Sequence, residues 1–301
     1  MSETVVVVVV TFNRADLLGR MLDGLAAQNH EPDAVIVVDN ASEDHTREVL
    51  DAHRGLQLQR IHLTENTGGA GGFRAGVEAA YEQGFDRIWL MDDDVVPAPD
   101  CLELLMAEDE ACLMSVREDV HGRLVEKAAT DFDLTRPWSV RPKRRMVETD
   151  YGDRHAMPRR VELHNVAFEG FLFRREVVDA IGFPDATFFI FYDDVDFALR
   201  ARRAGYRIWA LRDAVLVRQL DFSQQHDLAG WKGYYMYRNL FAVHFRYGAN
   251  ALVRTKPYVI AATVVALSPG RGGRAEVRNV IRAIRSARGM RSIPGSTPAP
   301  R

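Results

Sequence analysis

Six consecutive valines, Val5 to Val10, constrain the fold of this chain more than any other feature. Valine packs well in strands, and an uninterrupted apolar run of this length is typical of a strand buried on both faces of a parallel sheet. The run is too short to span a membrane, which takes roughly 20 apolar residues. Glu3 precedes it where a signal sequence would have a basic leader. We therefore predict a central buried strand and an α/β fold.

Strands and helices alternate regularly after this run. The apolar periodicity predicts further strands and helices, namely strands at 35–38, 56–63 and 87–91 and helices at about 17–25, 42–53 and 72–83. Asn13 with Asp16 is predicted to cap the first helix, and Ser42 the second. Right-handed crossovers make this order a Rossmann-like, mostly parallel sheet flanked by helices. Its ligands are expected at the carboxyl ends of the strands.

The second half of the chain has fewer regular patterns. Residues 115–160 contain many Arg and few apolar residues, which predicts a flexible basic surface loop. A strand-like stretch at 161–173 and a helix-like stretch at 175–181 follow it. Cys101 and Cys112 are predicted to be packing residues of a helix-like stretch, because their spacing fits no disulfide framework and suits a reducing compartment.

Charge is distributed unevenly. Residues 271–301 carry eight Arg and one acidic residue, Glu276, although the whole chain has a formal net charge of -3. Together with the apolar stretch 258–267, this predicts a basic helical segment at 251–292 that associates with an anionic membrane surface. We expect no nucleic-acid partner, because the rest of the chain lacks a basic platform with aromatic residues. Residues 293–301 are predicted to be a disordered tail.

The Gly-rich segment at 68–72 fits neither familiar phosphate-binding loop. Phe73 and Arg74 stand where a Walker loop has Lys followed by Ser or Thr, and Arg74 stands where the dinucleotide fingerprint has its third Gly. Dehydrogenase and ATPase functions are therefore not predicted. The glycines indicate a turn in which the backbone closely approaches a ligand or a neighbouring element, with Asn66 as its functional member.

Two acidic clusters are candidate functional groups. Asp92 to Asp94 end the fourth predicted strand, and alternation predicts Asp92 and Asp94 on one side and Asp93 on the other. Two such carboxylates can share a hard divalent cation and leave positions for diphosphate oxygens, with a solvated turn as the alternative. The second cluster, at residues 193–196, is either part of a site or the charged beginning of a helix at 195–204.

In this order, these residues resemble the family 2 glycosyltransferases of the GT-A fold. The matching segments are 10–14, 37–40, 66–73, 91–94 and 192–194, and the resemblance covers about residues 5–245. The runs at 68–73 and 231–239 look most like bacterial cell-wall galactofuranosyltransferases, with rhamnosyltransferases as close rivals. The resemblance implies a GT-A domain at 1–250, with a nucleotide-binding half at 1–97 and an acceptor half at 98–250.

The resemblance also implies an activity. It is the inverting transfer of a sugar, first of all galactofuranose from UDP-galactofuranose, to a hydroxyl of a lipid-linked cell-wall glycan. A dTDP-rhamnose-dependent rhamnosyltransferase and a non-catalytic sugar-nucleotide-binding assembly subunit are the alternatives. The expected location is cytoplasmic, peripheral at the inner face of the cell membrane. The oligomeric state is left open, a homo-oligomer included.

Site residues follow from the matched segments. Asp194 is the implied catalytic base, with Asp193 hydrogen-bonded to the acceptor. Asp92 and Asp94 are implied to bind Mn²⁺ or Mg²⁺ across the diphosphate. The implied donor-binding residues are Thr11, Phe12, Arg14, Asp39, Asn66, Gly69, Asp92 and Asp93. The other implied acceptor-binding residues are Phe168, Glu169 and Trp231, the last beginning a stripe at helical spacing that could equally be core packing.

Two positions depart from the family pattern. Arg218 stands where related galactofuranosyltransferases have a metal-binding His, and arginine cannot ligate a metal although it can neutralise a diphosphate. His226 is the predicted substitute ligand, with a surface role as the alternative. Phe168 and Glu169 stand where galactan-polymerising relatives have two tryptophans, which leaves the acceptor open.

Overall fold

The computed structural model describes residues 3–139, 141–220, 228–270 and 273–292. Eleven strands are found in these ranges: β1 (Val5–Thr11), β2 (Ala34–Asp39), β3 (Leu58–His62), β4 (Arg87–Asp92), β5 (Val95–Pro97), β6 (Cys112–Asp119), β7 (Ala129–Phe132), β8 (Lys143–Met146), β9 (Arg160–Leu163), β10 (Phe171–Arg174) and β11 (Ile208–Arg218). The α-helices there are α1 (Ala15–Ala26), α2 (Thr46–Ala52), α3 (Gly68–Glu82), α4 (Cys101–Met106), α5 (Val147–Tyr151), α6 (Arg175–Ile181), α7 (Asp193–Arg203), α8 (Trp231–Tyr247), α9 (Ala251–Leu267) and α10 (Gly273–Ala287).

A large mixed sheet forms the centre of the molecule. Its order is β3-β2-β1-β4-β10-β6-β11-β5, with β9 paired to β11, while β7 and β8 form a separate pair. The first four strands in this order are parallel, and β10 is antiparallel to both β4 and β6. The predicted α/β class, with a Rossmann-like parallel half, is confirmed.

The valine run is the middle of this parallel half. Alternate valines enter different cores: Val6 and Val8 pack on the α3 side, and Val5 and Val7 on the α1 side. Burying a valine stabilises the fold by about 1.5–3 kcal/mol relative to leaving it exposed. Helices on both faces of the sheet explain why no polar residue interrupts the run.

The predicted caps of the first two helices are wrong. Asn13 has a φ of 52° and accepts a hydrogen bond from the Glu43 backbone N–H instead of capping α1. The Ala15 N–H at the start of α1 is bound by Asp44, and Ser42 accepts from the Asn13 N–H. The polar side chains therefore tie the β1–α1 and β2–α2 loops together, a long-range role that local spacing does not reveal.

Helix α3 begins four residues earlier than predicted, at Gly68. A Cβ at Gly72 would lie 2.5 Å from a methyl of Val10, and one at Gly76 would lie 2.2 Å from a methyl of Val8. Glycine weakens a helix through its backbone entropy, so propensity alone argues against helix here. The close approach of α3 to β1 requires these glycines and outweighs their poor propensity.

The predicted flexible basic loop at 115–160 is wrong, because this stretch contributes four strands and a helix. Its basic side chains pair with acidic ones, as in Arg144–Asp131, Arg145–Asp150, Arg154–Glu118, Arg159–Glu108 and Arg160–Glu110. Cys112 lies at the start of β6 rather than in a helix. The predicted strand at 161–173 is two strands, β9 and β10, joined by a loop at 164–170.

The carboxyl-terminal helices share a core with α7. Phe241 and Val243 of α8 and Val280 of α10 belong to the same buried cluster as Val195 and Leu199 of α7. Arg246 of α8 also binds the Met290 carbonyl oxygen. Within the described ranges, no helix is long and apolar enough to cross a membrane. The predicted disordered tail, 293–301, lies outside the described residues.

Candidate functional site

The carboxyl ends of three parallel strands bring the first group of predicted site residues together. Thr11 on β1 is in register with Asp39 on β2, and Val10 is in register with Asp92 on β4. Thr11 and Asp39 are each 1% exposed. The expected position of the site at this sheet edge is therefore consistent with the strand registers.

Asp93 is fixed by the β1 end. Its carboxylate accepts from the Thr11 hydroxyl at 2.8 Å and from Arg14 at 2.9 Å. Arg14 also reaches Asp94 at 3.3 Å. The predicted alternation of the triplet is therefore incorrect in part, because the chain turns at residues 93–94 and one guanidinium contacts both side chains.

The carboxyls of Asp92 and Asp94 are destabilised in their ionised form. Burial, and then the nearby charge of Glu169, raise the pKa of both carboxyls, that of Asp92 to well above its usual range. Asp94 Oδ1 is buried and has no hydrogen-bond partner in the described part of the chain. A hard divalent cation would favour the ionised form of both carboxyls. It would also bind the carboxylate oxygen that has no hydrogen-bond partner. The residues present therefore fit Mn²⁺ or Mg²⁺.

A complete set of protein ligands is not preformed. Across the described ranges, no group of three or more His, Cys, Asp or Glu side chains is arranged as a metal-binding cluster. His226, the predicted substitute ligand, lies outside the described residues. Arg218 is 8% exposed at the end of β11, and its Nη2 lies 3.6 Å from Glu169. It also lowers the pKa of Asp94, although burial of that carboxyl has the larger, opposite effect.

Glu169 occupies the middle of the site. It receives a 2.6 Å hydrogen bond from Arg117, whose other nitrogens donate to Glu126 at 2.8 and 2.9 Å. Burial alone would raise the pKa of Glu169, but Arg117 and Arg218 hold it below its usual range. The nearby charge of Glu169 raises the pKa of Asp92, of Asp94 and of Asp194. Both acidic clusters thus have the same buried carboxylate as a neighbour.

Asp193 and Asp194 begin α7. Burial raises the pKa of Asp194 to about 6, opposed by a hydrogen bond from the Val195 N–H and by the charges of Lys143 and Arg117. Burial, and then the charge of Asp194, raise the pKa of Asp193 well above its usual range. Two adjacent buried carboxyls do not ionise together easily. Asp193 is 7% exposed and Asp194 is more exposed, so burial disfavours the ionised form of both carboxyls.

Asp196 has a structural role instead. Its carboxylate is fully buried and accepts from Arg200 at 2.9 Å, Arg246 at 2.7 Å and Tyr247 at 2.6 Å. These partners fix α7 to α8. The second acidic cluster therefore has two roles. Asp193 and Asp194 belong to the candidate site, and Asp196 belongs to a structural network.

The loop before α3 is organised by Asn40. Its buried amide donates to the Asn66 side chain and the Gly68 carbonyl and accepts from the Thr67 N–H. Asp39 accepts from Ser42 and pairs with His62 at 3.1 Å. Asn66 is exposed beside this network, which leaves its predicted donor contact sterically open.

Gly69 differs from the glycines that pack on β1. A Cβ at Gly69 would meet no described atom within 4 Å. Phe12, 39% exposed, lies at the same end of the sheet. The predicted donor contacts of Gly69 and Phe12 therefore stay predictions, and both residues have surface to make them.

One of the predicted acceptor-binding residues, Phe168, lies in the core. Phe168 is 4% exposed and packs in the core between the rings of Phe73 and Phe197, so its side chain has almost no surface for an acceptor. Trp231, in contrast, is 59% exposed and stands edge-on to Phe189 and Tyr235. Trp231 can make the predicted contact, and Glu169 lies inside the site rather than on an outer wall.

Three residues of the site were missed by the sequence reasoning. Arg117 is a buried arginine that follows the mostly apolar residues 112–116 of β6, a signal that could have been read from the sequence. Lys143 lies within residues 115–160, the stretch that the sequence predicts to be a basic surface loop. Asn239 is fully buried on α8, and its importance depends on contacts with a distant loop, so no local pattern indicates it.

Comparison with known proteins agrees with this geometry. Residues 3–234 match a family described as Glycosyltransferase like family 2. Galactofuranosyltransferase GlfT1 of Mycolicibacterium smegmatis is 35% identical over 210 residues, 68% of this chain and 67% of the relative. GlfT1 of Mycobacterium tuberculosis is 34% identical over 218 residues, 71% and 69% of the two chains.

Solved structures show the same fold. The mannosyltransferase PcManGT from Pyrobaculum calidifontis, in complex with GDP-Man and Mn²⁺, matches with a TM-score of 0.56 at 21% identity and covers 98% of this chain and 77% of its own. S. aureus TarS 1-349, in complex with UDP-GlcNAc, matches with a TM-score of 0.56 at 18% identity, over 96% and 82% of the two chains. The predicted GT-A fold is confirmed.

Proposed function

This chain belongs to glycosyltransferase family 2, and on that premise we propose that it transfers galactofuranose from UDP-galactofuranose to a hydroxyl of a lipid-linked cell-wall glycan, with inversion. The observation that carries the proposal is that Glu169, 2.6 Å from Arg117 and 3.6 Å from Arg218, is close enough for its charge to raise the pKa of carboxyls in both clusters, Asp92 and Asp94 in one and Asp194 in the other. A donor diphosphate bound at the first cluster and an acceptor bound at the second would then meet in one site. The similarity to two GlfT1 proteins supports the choice of sugar.

In this proposal the donor lies along the carboxyl ends of β1, β2 and β4. Asp39 and Asn66 hold the nucleoside, and Phe12 and Gly69 line its path. Thr11 and Arg14 hold Asp93, while Arg14 and Arg218 supply positive charge toward the diphosphate. Asp92 and Asp94 would hold Mn²⁺ or Mg²⁺, which neutralises charge on the nucleotide leaving group.

Asp194 is the proposed base. Its carboxylate takes the proton of the acceptor hydroxyl as that oxygen attacks the anomeric carbon, and a single displacement inverts the configuration. A pKa of about 6 lets it be ionised at neutral pH and still basic enough to accept a proton. In this proposal Asp193 hydrogen-bonds the acceptor, and the exposed ring of Trp231 contacts it.

The test is a donor panel. Purified protein is incubated with UDP-galactofuranose, dTDP-rhamnose and other nucleotide sugars, with and without Mn²⁺, and with synthetic lipid-linked acceptors. We expect acceptor-dependent UDP release from UDP-galactofuranose only when Mn²⁺ or Mg²⁺ is present, and NMR of the product should show inversion. Release from dTDP-rhamnose alone would make the protein a rhamnosyltransferase. Binding of a nucleotide sugar without turnover of any donor would favour the non-catalytic subunit.

We also propose that α9 and α10 rest on the cytoplasmic face of the membrane. Leu252, Val259 and Leu267 of α9 are more than half exposed, and the Arg side chains at 274, 278, 282 and 285 of α10 are exposed. Apolar groups beside positive charge favour an anionic lipid surface. Replacing Val259 and Leu267 by Ser, and Arg278 and Arg285 by Gln, should reduce binding to phosphatidylglycerol vesicles at low salt. Unchanged binding contradicts the proposal.

A further inference from the structure

The loop that delivers the proposed base has an unusual backbone. Phe189, Phe191 and Tyr192 have φ values of 63°, 67° and 68°. This left-handed region is costly for residues that carry a Cβ, and bulky residues adopt it only where the surroundings impose it. Tyr192 directly precedes α7, so the loop sets where the first turn of α7, with Asp193 and Asp194, lies.

One buried side chain binds most of this loop. Asn239 of α8 is fully buried, and its amide nitrogen lies 2.9 Å from the Phe188 carbonyl, 2.7 Å from that of Ile190 and 2.9 Å from that of Phe191. Arg238 donates to the Asn239 side-chain oxygen at 2.8 Å, which fixes the orientation of the amide. The two N–H bonds of this amide are shared among the three carbonyls, of which Phe188 also accepts from the Ile190 N–H and from Arg238.

The other side of the loop contacts the donor half of the site. The Phe189 carbonyl accepts from the Ala70 N–H in the first turn of α3 at 3.1 Å. Gly68 has a φ of 73°, and a Cβ there would lie 2.0 Å from the same carbonyl oxygen. The loop is therefore held between α3, which starts at the donor side, and α8.

We propose that Asn239 is a positioning residue for the transfer reaction: its amide holds the strained loop 188–192 so that Asp194 meets the acceptor hydroxyl above the donor. Asn239 is too deeply buried to contact a substrate, so it acts through the loop. The inference rests on the proposed function, in which Asp194 is the base. Misplacing a reacting group by about 1 Å can cost roughly 100-fold in rate.

The experiment compares Asn239→Ala and Asn239→Asp with the unaltered enzyme. The Asp variant keeps the shape but presents oxygen to the three carbonyls. For both we expect kcat to fall by roughly 100-fold while the KM for UDP-galactofuranose changes less than about twofold. In the pH profile of kcat, the midpoint of the acid limb should lie near pH 6 for the unaltered enzyme and at lower pH for both variants. Burial is the largest cause of the raised pKa of Asp194, and a displaced Asp194 is less buried. The other titratable groups that face Asp194 are Asp193, Lys143, Arg117 and Glu169.

Two further variants separate positioning from a general loss of folding. Asn250→Ala removes the cap of α9, where the side chain accepts from the Val253 N–H, and should leave kcat and the acid midpoint unchanged. Arg238→Met removes the contacts to the Thr187 and Phe188 carbonyls from a half-buried position and should lower kcat by a smaller factor. Arg238→Met takes the place of Asn239→Ala in the test if the Asn239→Ala protein does not fold.

Several outcomes overturn the inference. They are unaltered kcat in Asn239→Ala, a rise in donor KM equal to the fall in kcat, or an acid midpoint that stays in place in every variant. Asp194→Asn run in parallel keeps the two proposals apart. An inactive Asp194→Asn beside a fully active Asn239→Ala removes only the positioning role, whereas an active Asp194→Asn removes the proposed base itself.

Discussion

The two acidic clusters look alike in sequence and differ in what surrounds each carboxylate. In the triplet that ends β4, Asp93 is held by Thr11 and Arg14, while one oxygen of Asp94 is buried without a hydrogen-bond partner among the described residues. In the cluster that begins α7, Asp196 is held by Arg200, Arg246 and Tyr247, while Asp194 is half-buried and has a raised pKa.

The comparison teaches how to divide such a cluster. In each one, the carboxylate whose oxygens are all taken by donors stabilises the fold. Its neighbours are those with oxygens left for a ligand or a proton; burial raises the pKa of Asp93 as well, so the distinction lies in the hydrogen bonds. Position in the run does not make this distinction, because the tied residue is the second of three in one cluster and the last in the other.

The largest effect is expected from Asp194→Asn. Loss of the proposed base should lower kcat by about 10³–10⁴-fold, since general base catalysis contributes up to this much. Donor affinity, measured by titration calorimetry with UDP, should change little because the proposed mechanism places Asp194 on the acceptor side. Turnover close to that of the unaltered enzyme would remove Asp194 from the mechanism.

Asp196→Ala should act on the fold instead. Removing one partner of a buried ion pair costs about 3–5 kcal/mol, because Arg200 loses its carboxylate and Arg246 keeps only Asp185. Urea unfolding should show this loss in the free energy of unfolding. UDP affinity at low temperature should be preserved, and a stable protein that no longer binds UDP would reverse the division drawn for this cluster.

Asp94→Asn and Asp93→Asn form a matched pair in the other cluster. The first should weaken Mn²⁺ binding by about 100-fold. This is the upper end of the roughly 10- to 100-fold loss that is typical when a residue supporting a metal ligand is changed. The second should change Mn²⁺ affinity less and instead loosen the Thr11 and Arg14 contacts. Electron paramagnetic resonance of Mn²⁺ in the presence of UDP measures both. Equal losses in the two variants would contradict the division.

The smallest effect is a pH dependence. Because the base must be ionised, and its pKa is raised to about 6, kcat should fall as the pH drops through 6, by about tenfold per unit below it. At pH 8 the carboxylate form predominates and kcat should be level on this limb. A rate that is constant from pH 8 down to pH 5 would exclude the Asp194 environment described here.

The first half of the fold could be predicted from the sequence because its signals are local. The valine run, the apolar helix faces and the acidic ends of strands recur in order, and parallel pairing then brings Thr11, Asp39 and Asp92 together. The start of α3 was missed because four glycines argue against helix. The reason for Gly72 is its contact with Val10, in a strand some sixty residues away, and Gly68 lies against the Phe189 carbonyl, which is even more distant in sequence.

The second half could not be predicted in the same way because its order is non-local. Strand β10 is inserted between β4 and β6, and β11 pairs with β6 about a hundred residues earlier in the chain. The basic residues of this stretch have acidic partners that are distant in sequence, such as Arg117 with Glu169. Without those partners, a run of arginines cannot be told from a solvated loop, and Phe168 cannot be told from an exposed aromatic.

The link through Arg246 has a consequence for how such enzymes diversify. Its guanidinium joins Asp196 on α7, Asp185 before the base loop, and the Met290 carbonyl beyond α10. The segment proposed to touch lipid is therefore not an interchangeable module. A chimera that exchanged the last fifty residues for those of a relative would have to keep the packing on α8 that brings a carbonyl oxygen to Arg246.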